Sequence, residues 1–266
     1  LALQAQSAYQ SGRPREALEI WSALLERGDL EPDSELEVRF WKGTVLHGLG
    51  FYEAACESLE PFCFDPRLSR ASPHWIYRIA TRTALIQIEL ARPLERIEAL
   101  IVRIRELARL ANDPRASRLC LVQGRLELAR GRPAAALRAL RRGLEGRGEA
   151  QLSFASTPYY RAILPVLLEA GRLDEAREAL AHWGHSSDSE AFKQPHLPAF
   201  GADWKRARGE AEAARQDAMF AVFRSRELEE IAGLLNAHRS LCRAALLCRE
   251  VPRARTALRA LLRLRH

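Results

Sequence analysis

The sequence predicts an all-α chain, an α-solenoid of about seven antiparallel helix pairs. Three observations lead there. A turn signature returns about every forty residues, the apolar spacing between turns is helical, and strand signals are almost absent.

The signature is a small turn residue, two variable residues, and then a helix with alanine near its start. The first copy is Gly12-Arg-Pro-Arg-Glu-Ala-Leu and the second Gly50-Phe-Tyr-Glu-Ala-Ala. It returns as Ala91-Arg-Pro-Leu-Glu-Arg-Ile, Gly131-Arg-Pro-Ala-Ala-Ala-Leu and Gly171-Arg-Leu-Asp-Glu-Ala-Arg. Weaker copies begin at Gly209 and Glu250, and the separations are 38, 41, 40, 40, 38 and 41 residues. A glycine suits the left-handed backbone that ends a helix. Pro14, Pro93, Pro133 and Pro252 fit the first turn of the next helix, where the missing N–H costs nothing. Five residues after the turn, alanine recurs as Ala17, Ala55, Ala136, Ala176 and Ala214. Seven before it stand Gly43, Ala84, Gly124 and Ala202. Small residues on both sides let paired helices approach closely. Between turns, Ile97, Leu100, Ile101, Ile104 and Leu107 trace one helical face. A single hairpin cannot bury both its apolar stripes, so neighbours must stack.

Small residue, seven positions, turn glycine, five positions, alanine: this pattern resembles the tetratricopeptide repeat. The clearest copy is Trp41-Lys-Gly-Thr-Val-Leu-His-Gly-Leu-Gly-Phe-Tyr-Glu-Ala-Ala, and the resemblance covers nearly the whole chain. It departs in period, since the standard repeat is ~34 residues, and HEAT-type repeats run ~40–47. The longer variant looks like the helical sensor regions of bacterial regulators, such as maltose-activator-type transcription factors and quorum-peptide receptors. The resemblance implies a right-handed superhelix and a cytoplasmic scaffold for protein–protein interaction in signalling or transcription regulation. It also implies that the first helix of each pair lines a groove. Ligand-facing residues would lie about thirteen, ten, six and three before the turn. Here those are Phe40, Thr44, His47, Arg78, Thr81, Arg118, Arg125, Arg161, Asp203 and Arg206. An arginine-lined groove would take an acidic peptide or a carboxylate terminus through bidentate contacts.

Composition bounds the alternatives. The chain is 47% hydrophobic and 28% charged, which excludes wholesale disorder. No apolar run approaches the ~20 residues of a membrane span, so no membrane partner is expected. Of 41 basic residues, only Lys42, Lys193 and Lys205 are lysine, a skew that looks like coding bias. The net charge of +7 concentrates in two blocks. Residues 115–147 carry 9 arginines against 2 carboxylates, and residues 239–266 carry 8 against 1. Arg239, Arg243, Arg255, Arg259 and Arg263 form a basic stripe in the second block. A nucleic-acid-binding solenoid using both blocks is the alternative function. The five cysteines form no C-x-x-C, which fits a reducing cytoplasm without disulfides.

No phosphate-binding glycine loop and no hydrolase, kinase or metalloprotease signature occurs, so no enzyme, cofactor or metal is expected. His182, His185 and His196, with Asp188 and Glu190, are the best metal candidates, but Gly184 is expected to end their helix between the first two. Cys56 and Cys63 read as core, and Trp21, Trp41, Trp75, Trp183 and Trp204 as wedges between helices. The links 63–74, 146–158 and 184–198 read as crossover loops. One domain is expected over 1–266. Its apolar ends, Leu1-Ala-Leu and Leu261-Leu-Arg-Leu, suggest a fragment of a larger protein.

Overall fold

A computed structural model of the chain describes residues 1–66, 68, 72–111, 117–145, 157–185 and 196–264. Among these residues there are helices and turns and no strand. In chain order the α-helices are α1 (Ala2–Gln10), α2 (Pro14–Arg27), α3 (Pro32–Gly48) and α4 (Tyr52–Leu59), which a 3-10 turn extends over Glu60–Phe62. There follow α5 (Pro73–Glu89), α6 (Leu94–Leu110), α7 (Ser117–Ala129), α8 (Pro133–Glu145), α9 (Thr157–Glu169) and α10 (Leu173–His185). The last four are α11 (Leu197–Ala207), α12 (Ala211–Glu227), α13 (Ile231–Leu247) and α14 (Val251–Arg263). None of these helices is long and apolar enough to cross a membrane.

The helices group into two compact units. One comprises Leu1–Tyr9 and Arg13–Glu149, the other Gln10–Gly12 and Ala150–His266. Within each, consecutive helices pack on their neighbours in a solenoid-like way. In the first unit the hairpins are α3–α4, α5–α6 and α7–α8, and their first helices lie side by side, α3 on α5 and α5 on α7. Tyr9 of α1 meets the Trp21 ring of α2 edge-on, with centroids 6.2 Å apart. In the second unit the hairpins are α9–α10, α11–α12 and α13–α14, and α11 packs against both α9 and α13.

Seven turns, one in each of the six hairpins and one between α1 and α2, share one backbone device. The residue after each turn donates its N–H five residues back: Phe51 to Leu46, Arg132 to Glu127, Arg172 to Leu167 and Glu250 to Ala245 are four examples. The residue before the donor takes a left-handed conformation. It is glycine at five turns, but Ala91 (φ 51°) and Arg249 (φ 60°) at the other two. The seventh turn is thus centred on Arg249, one residue earlier than the expected Glu250. The shift restores the repeat, because the buried Ala254 then lies five residues beyond the turn, as Ala136 and Ala214 do. A side chain at left-handed φ costs about 1–2 kcal/mol, partly offset by the entropy glycine adds to the unfolded chain. Arg249→Gly is therefore expected to raise the urea midpoint of unfolding, by about 0.5–1 kcal/mol in stability. An unchanged or lower midpoint would contradict the assigned turn.

Close helix approach explains the small residues. A Cβ built on Gly124 would lie 2.5 Å from Leu140 Cγ and 3.4 Å from the Ala136 carbonyl oxygen. Pro93 departs slightly from expectation, since it immediately precedes α6 instead of sitting in its first turn. Pro165, inside α9, removes the N–H that would bond the Arg161 carbonyl.

The core is built of these alanines and of large side chains, with Trp21, Trp183, Tyr159 and Phe200 fully buried. Trp21 stacks on Trp41, centroids 6.1 Å apart. Trp204 donates its indole N–H to the Leu173 carbonyl at 3.0 Å. Cys56 and Cys63 are buried, and burial pushes the Cys63 thiol up to about 12, which makes it a packing residue and not a nucleophile.

Candidate functional site

The first helices carry the residues singled out from the sequence, and the two units use them differently. In the first unit, α3 contributes Phe40, Thr44 and His47, α5 contributes Arg78 and Thr81, and α7 contributes Arg118 and Arg125. Phe40, Thr44 and Thr81 are buried. The Thr81 hydroxyl is spent on the Tyr77 carbonyl at 2.7 Å, while Thr44 Oγ1 has no hydrogen-bond partner. His47 and Arg125 both donate to Glu89, at 2.7 and 2.9 Å. Glu89 of α5 therefore ties α3 to α7, and these two residues brace neighbouring hairpins.

Arg78 of α5 lies half-buried among aromatic rings of α3 and α5. Its guanidinium lies 4.4 Å from the Phe40 centroid, 4.5 Å from Trp75 and 5.5 Å from Trp41. Aromatic faces attract the cation. Its Nε is nevertheless buried without a hydrogen-bond partner. Burial first, then the neighbouring cations Arg118 and Arg82, push the Arg78 pKa down to about 9, so it stays charged at neutral pH.

In the second unit a cavity of about 370 Å³ opens between α9, α11 and α13. Its charged lining is Glu169, Asp203, Arg206, Arg239 and Arg243, and its apolar lining is Pro165, Leu168 and Leu246. Asp203 is 3% exposed. Its Oδ1 lies 3.6 Å from Arg206 Nε and its Oδ2 lies 3.9 Å from Arg239 Nη2, both too far for hydrogen bonds. Asp203 Oδ1, Arg206 Nε and Arg239 Nε are accordingly buried with no hydrogen-bond partner. Burial pushes the Arg239 guanidinium below its ordinary pKa; Asp203 opposes that shift and Arg243 adds to it.

Arg161 is not part of this cavity lining. It lies 4.0 Å from Glu230, the residue preceding α13, which also meets the fully buried His196 at 3.5 Å and accepts from the N–H of Gly233. Burial opposes Glu230 ionisation. His196, Arg161 and the Gly233 N–H outweigh it and hold the carboxyl at about 2. Burial keeps His196 below its ordinary pKa, with Arg161 acting in the same direction.

The basic stripe divides. Arg239 and Arg243 line the cavity, whereas Arg255, Arg259 and Arg263 are exposed on α14 and do not line it. In block 115–147, Arg130 pairs with Glu98 and Glu127 at 2.6 and 2.9 Å. A larger hollow of about 730 Å³ on α6, α7 and α8 mixes Arg138 and Arg142 with those same carboxylates and Glu145. Helix α10 continues through Gly184 to His185, contrary to expectation, so His182 and His185 share it. His185 Nδ1 donates to the Ala181 carbonyl at 2.7 Å, and His196 is committed to Glu230. Asp188 and Glu190, the links 146–156 and 186–195, and Arg115, Arg147 and Arg265 of the basic blocks lie outside the described residues.

Glu169, Pro165, Leu246 and Glu230 were not singled out by the sequence. Glu169 and Leu246 stand two and three residues before their turns, where any helix end carries a polar or apolar residue. Glu230 caps α13 through the Gly233 N–H, yet it carried no local signal either, since glutamate is not among the usual N-cap residues. Compared with known proteins, the chain matches no protein-family model and no curated relative.

Proposed function

We propose that the chain is a tetratricopeptide-like binding scaffold of a regulatory protein, and that it captures an acidic segment of a partner on the face built by α9, α11 and α13. One observation carries this reading: Arg206 and Arg239 hold buried Nε–H groups with no acceptor, beside an open cavity. An unsatisfied buried donor costs about 1–3 kcal/mol, which an arriving carboxylate would offset through charge-assisted bonds. The aromatic-backed Arg78 supports a similar use of the first helices in the other unit. The mixed charges around Arg130 speak against a phosphate-tracking surface, because carboxylates among the arginines repel a nucleic-acid backbone.

The test is fluorescence anisotropy with a labelled glutamate-rich peptide and its glutamine counterpart, at low and high salt. The acidic peptide is expected to bind more tightly. Arg206→Gln combined with Arg239→Gln is expected to weaken it at least about tenfold, or ~1.4 kcal/mol. Equal affinity for the two peptides would remove the proposal. Tight, steeply salt-dependent binding of an arbitrary duplex would favour the nucleic-acid alternative in its place.

A further inference from the structure

We infer that the cavity between α9, α11 and α13 is a site for a free α-amino acid with an apolar side chain. This deepens the scaffold reading and rests on it, because it names a small signal for the same face. The argument begins with the three orphaned atoms. Arg206 Nε and Arg239 Nε require an acceptor, while Asp203 Oδ1 requires a donor. Donor and acceptor positions are close together, since Arg206 Nε and Asp203 Oδ1 are 3.6 Å apart.

A simple anion would bond the arginines but meet the buried Asp203 carboxylate as a like charge. A simple cation would bond Asp203 but meet three guanidinium groups. A molecule with both charges separated by a single carbon complements all three groups: its carboxylate matches the Arg206 and Arg239 guanidiniums and its ammonium the Asp203 carboxylate. The rim carries both signs as well, with Arg243 and Glu169 in the lining. A peptide end carries one of the two charges and not both on one carbon, so the free amino acid fits better than a chain terminus. Pro165, Leu168 and Leu246 supply an apolar wall for its side chain. The volume of about 370 Å³ is that of a small-ligand site, within the usual ~300–1,000 Å³. The amino acid and the acidic segment would share Arg206 and Arg239, so they compete, as a signal that releases a partner would.

The experiment is isothermal titration calorimetry of the whole chain with L-leucine, N-acetyl-L-leucine and L-leucinamide. Leucine is expected to bind saturably, and each blocked form at least about tenfold more weakly, ~1.4 kcal/mol. Asp203→Asn is expected to weaken leucine by a similar factor while N-acetyl-L-leucine, relieved of a like charge, binds more tightly. Arg243→Gln, an exposed rim change that spares the fold, is expected to weaken leucine and leucinamide unequally, leucine more. N-acetyl-L-leucine binding as tightly as leucine, or no saturable heat from leucine at millimolar concentration, would overturn the inference. Should the glutamate-rich peptide bind and leucine fail, this inference falls and the scaffold reading stands. Should leucine bind and the peptide fail, the partner reading falls alone.

Discussion

Trp183→Ala is expected to destabilise the second unit by about 3–5 kcal/mol, the range for removing a large buried aromatic. Trp183 is fully buried on α10. Its ring stacks on Tyr160 of α9, centroids 5.8 Å apart at 14°, and packs on Phe200 of α11 at 6.1 Å. Its indole N–H donates to Thr157 Oγ1 at 3.0 Å. One side chain therefore joins the α9–α10 hairpin to the next, and a solenoid depends on such contacts between neighbours. Trp183→Phe keeps much of the apolar volume and loses the donor, so a smaller loss is expected, about 1–2 kcal/mol. Urea unfolding followed by circular dichroism measures both. A Trp183→Ala variant within about 1 kcal/mol of the parent would mean that the hairpins do not stack through this residue.

Glu230→Gln is expected to cost about 3 kcal/mol, the lower end for breaking a buried ion pair, because its side chain is 22% exposed. The cost arises because Arg161 and His196 lose their carboxylate and α13 its charged N-terminal acceptor. The same group sets an acid limit. Its folded pKa of about 2 lies below the ordinary 4.5, so its contribution is complete above about pH 4.5 and is lost as the pH falls towards 2. His196 is also depressed, from 6.5, and remains neutral in the fold while the unfolded chain takes up a proton. Its contribution is complete above about pH 6.5 and shrinks below it. Both groups act in one direction. Stability of the second unit should fall in two stages on acidification, and Glu230→Gln should flatten the lower stage. A variant whose acid profile below pH 4.5 parallels that of the parent would rule out Glu230 as the titrating group.

These two residues mark a boundary in what the sequence reveals. The turns were legible because their chemistry is local: Gly50, Gly131 and Gly171 end helices by backbone conformation, and the residue after each makes the same five-back hydrogen bond. The seventh was misplaced by one residue because Arg249 adopts the left-handed backbone without being glycine. Gly43 and Gly124 were legible as close-packing positions because no other residue type leaves the facing leucine its space. Side-chain roles on the first helices were only partly legible. His47 and Arg125 looked like groove residues, yet both serve Glu89. Arg161 looked like one too, yet it lies beside Glu230, sixty-nine residues later in the chain.

The sequence by itself determined that this is an all-α chain of hairpins with a period near forty, since capping, helical periodicity and small-residue spacing act within a few residues of one another. Only the tertiary structure decided which charges are used up and which are left over. Arg206 and Arg239 sit on different helices, and whether a guanidinium finds a carboxylate depends on side chains that the stacking of hairpins brings within ångströms. That is a matter of distance and burial, and Coulombic and desolvation energies at such sites have no counterpart in residue order.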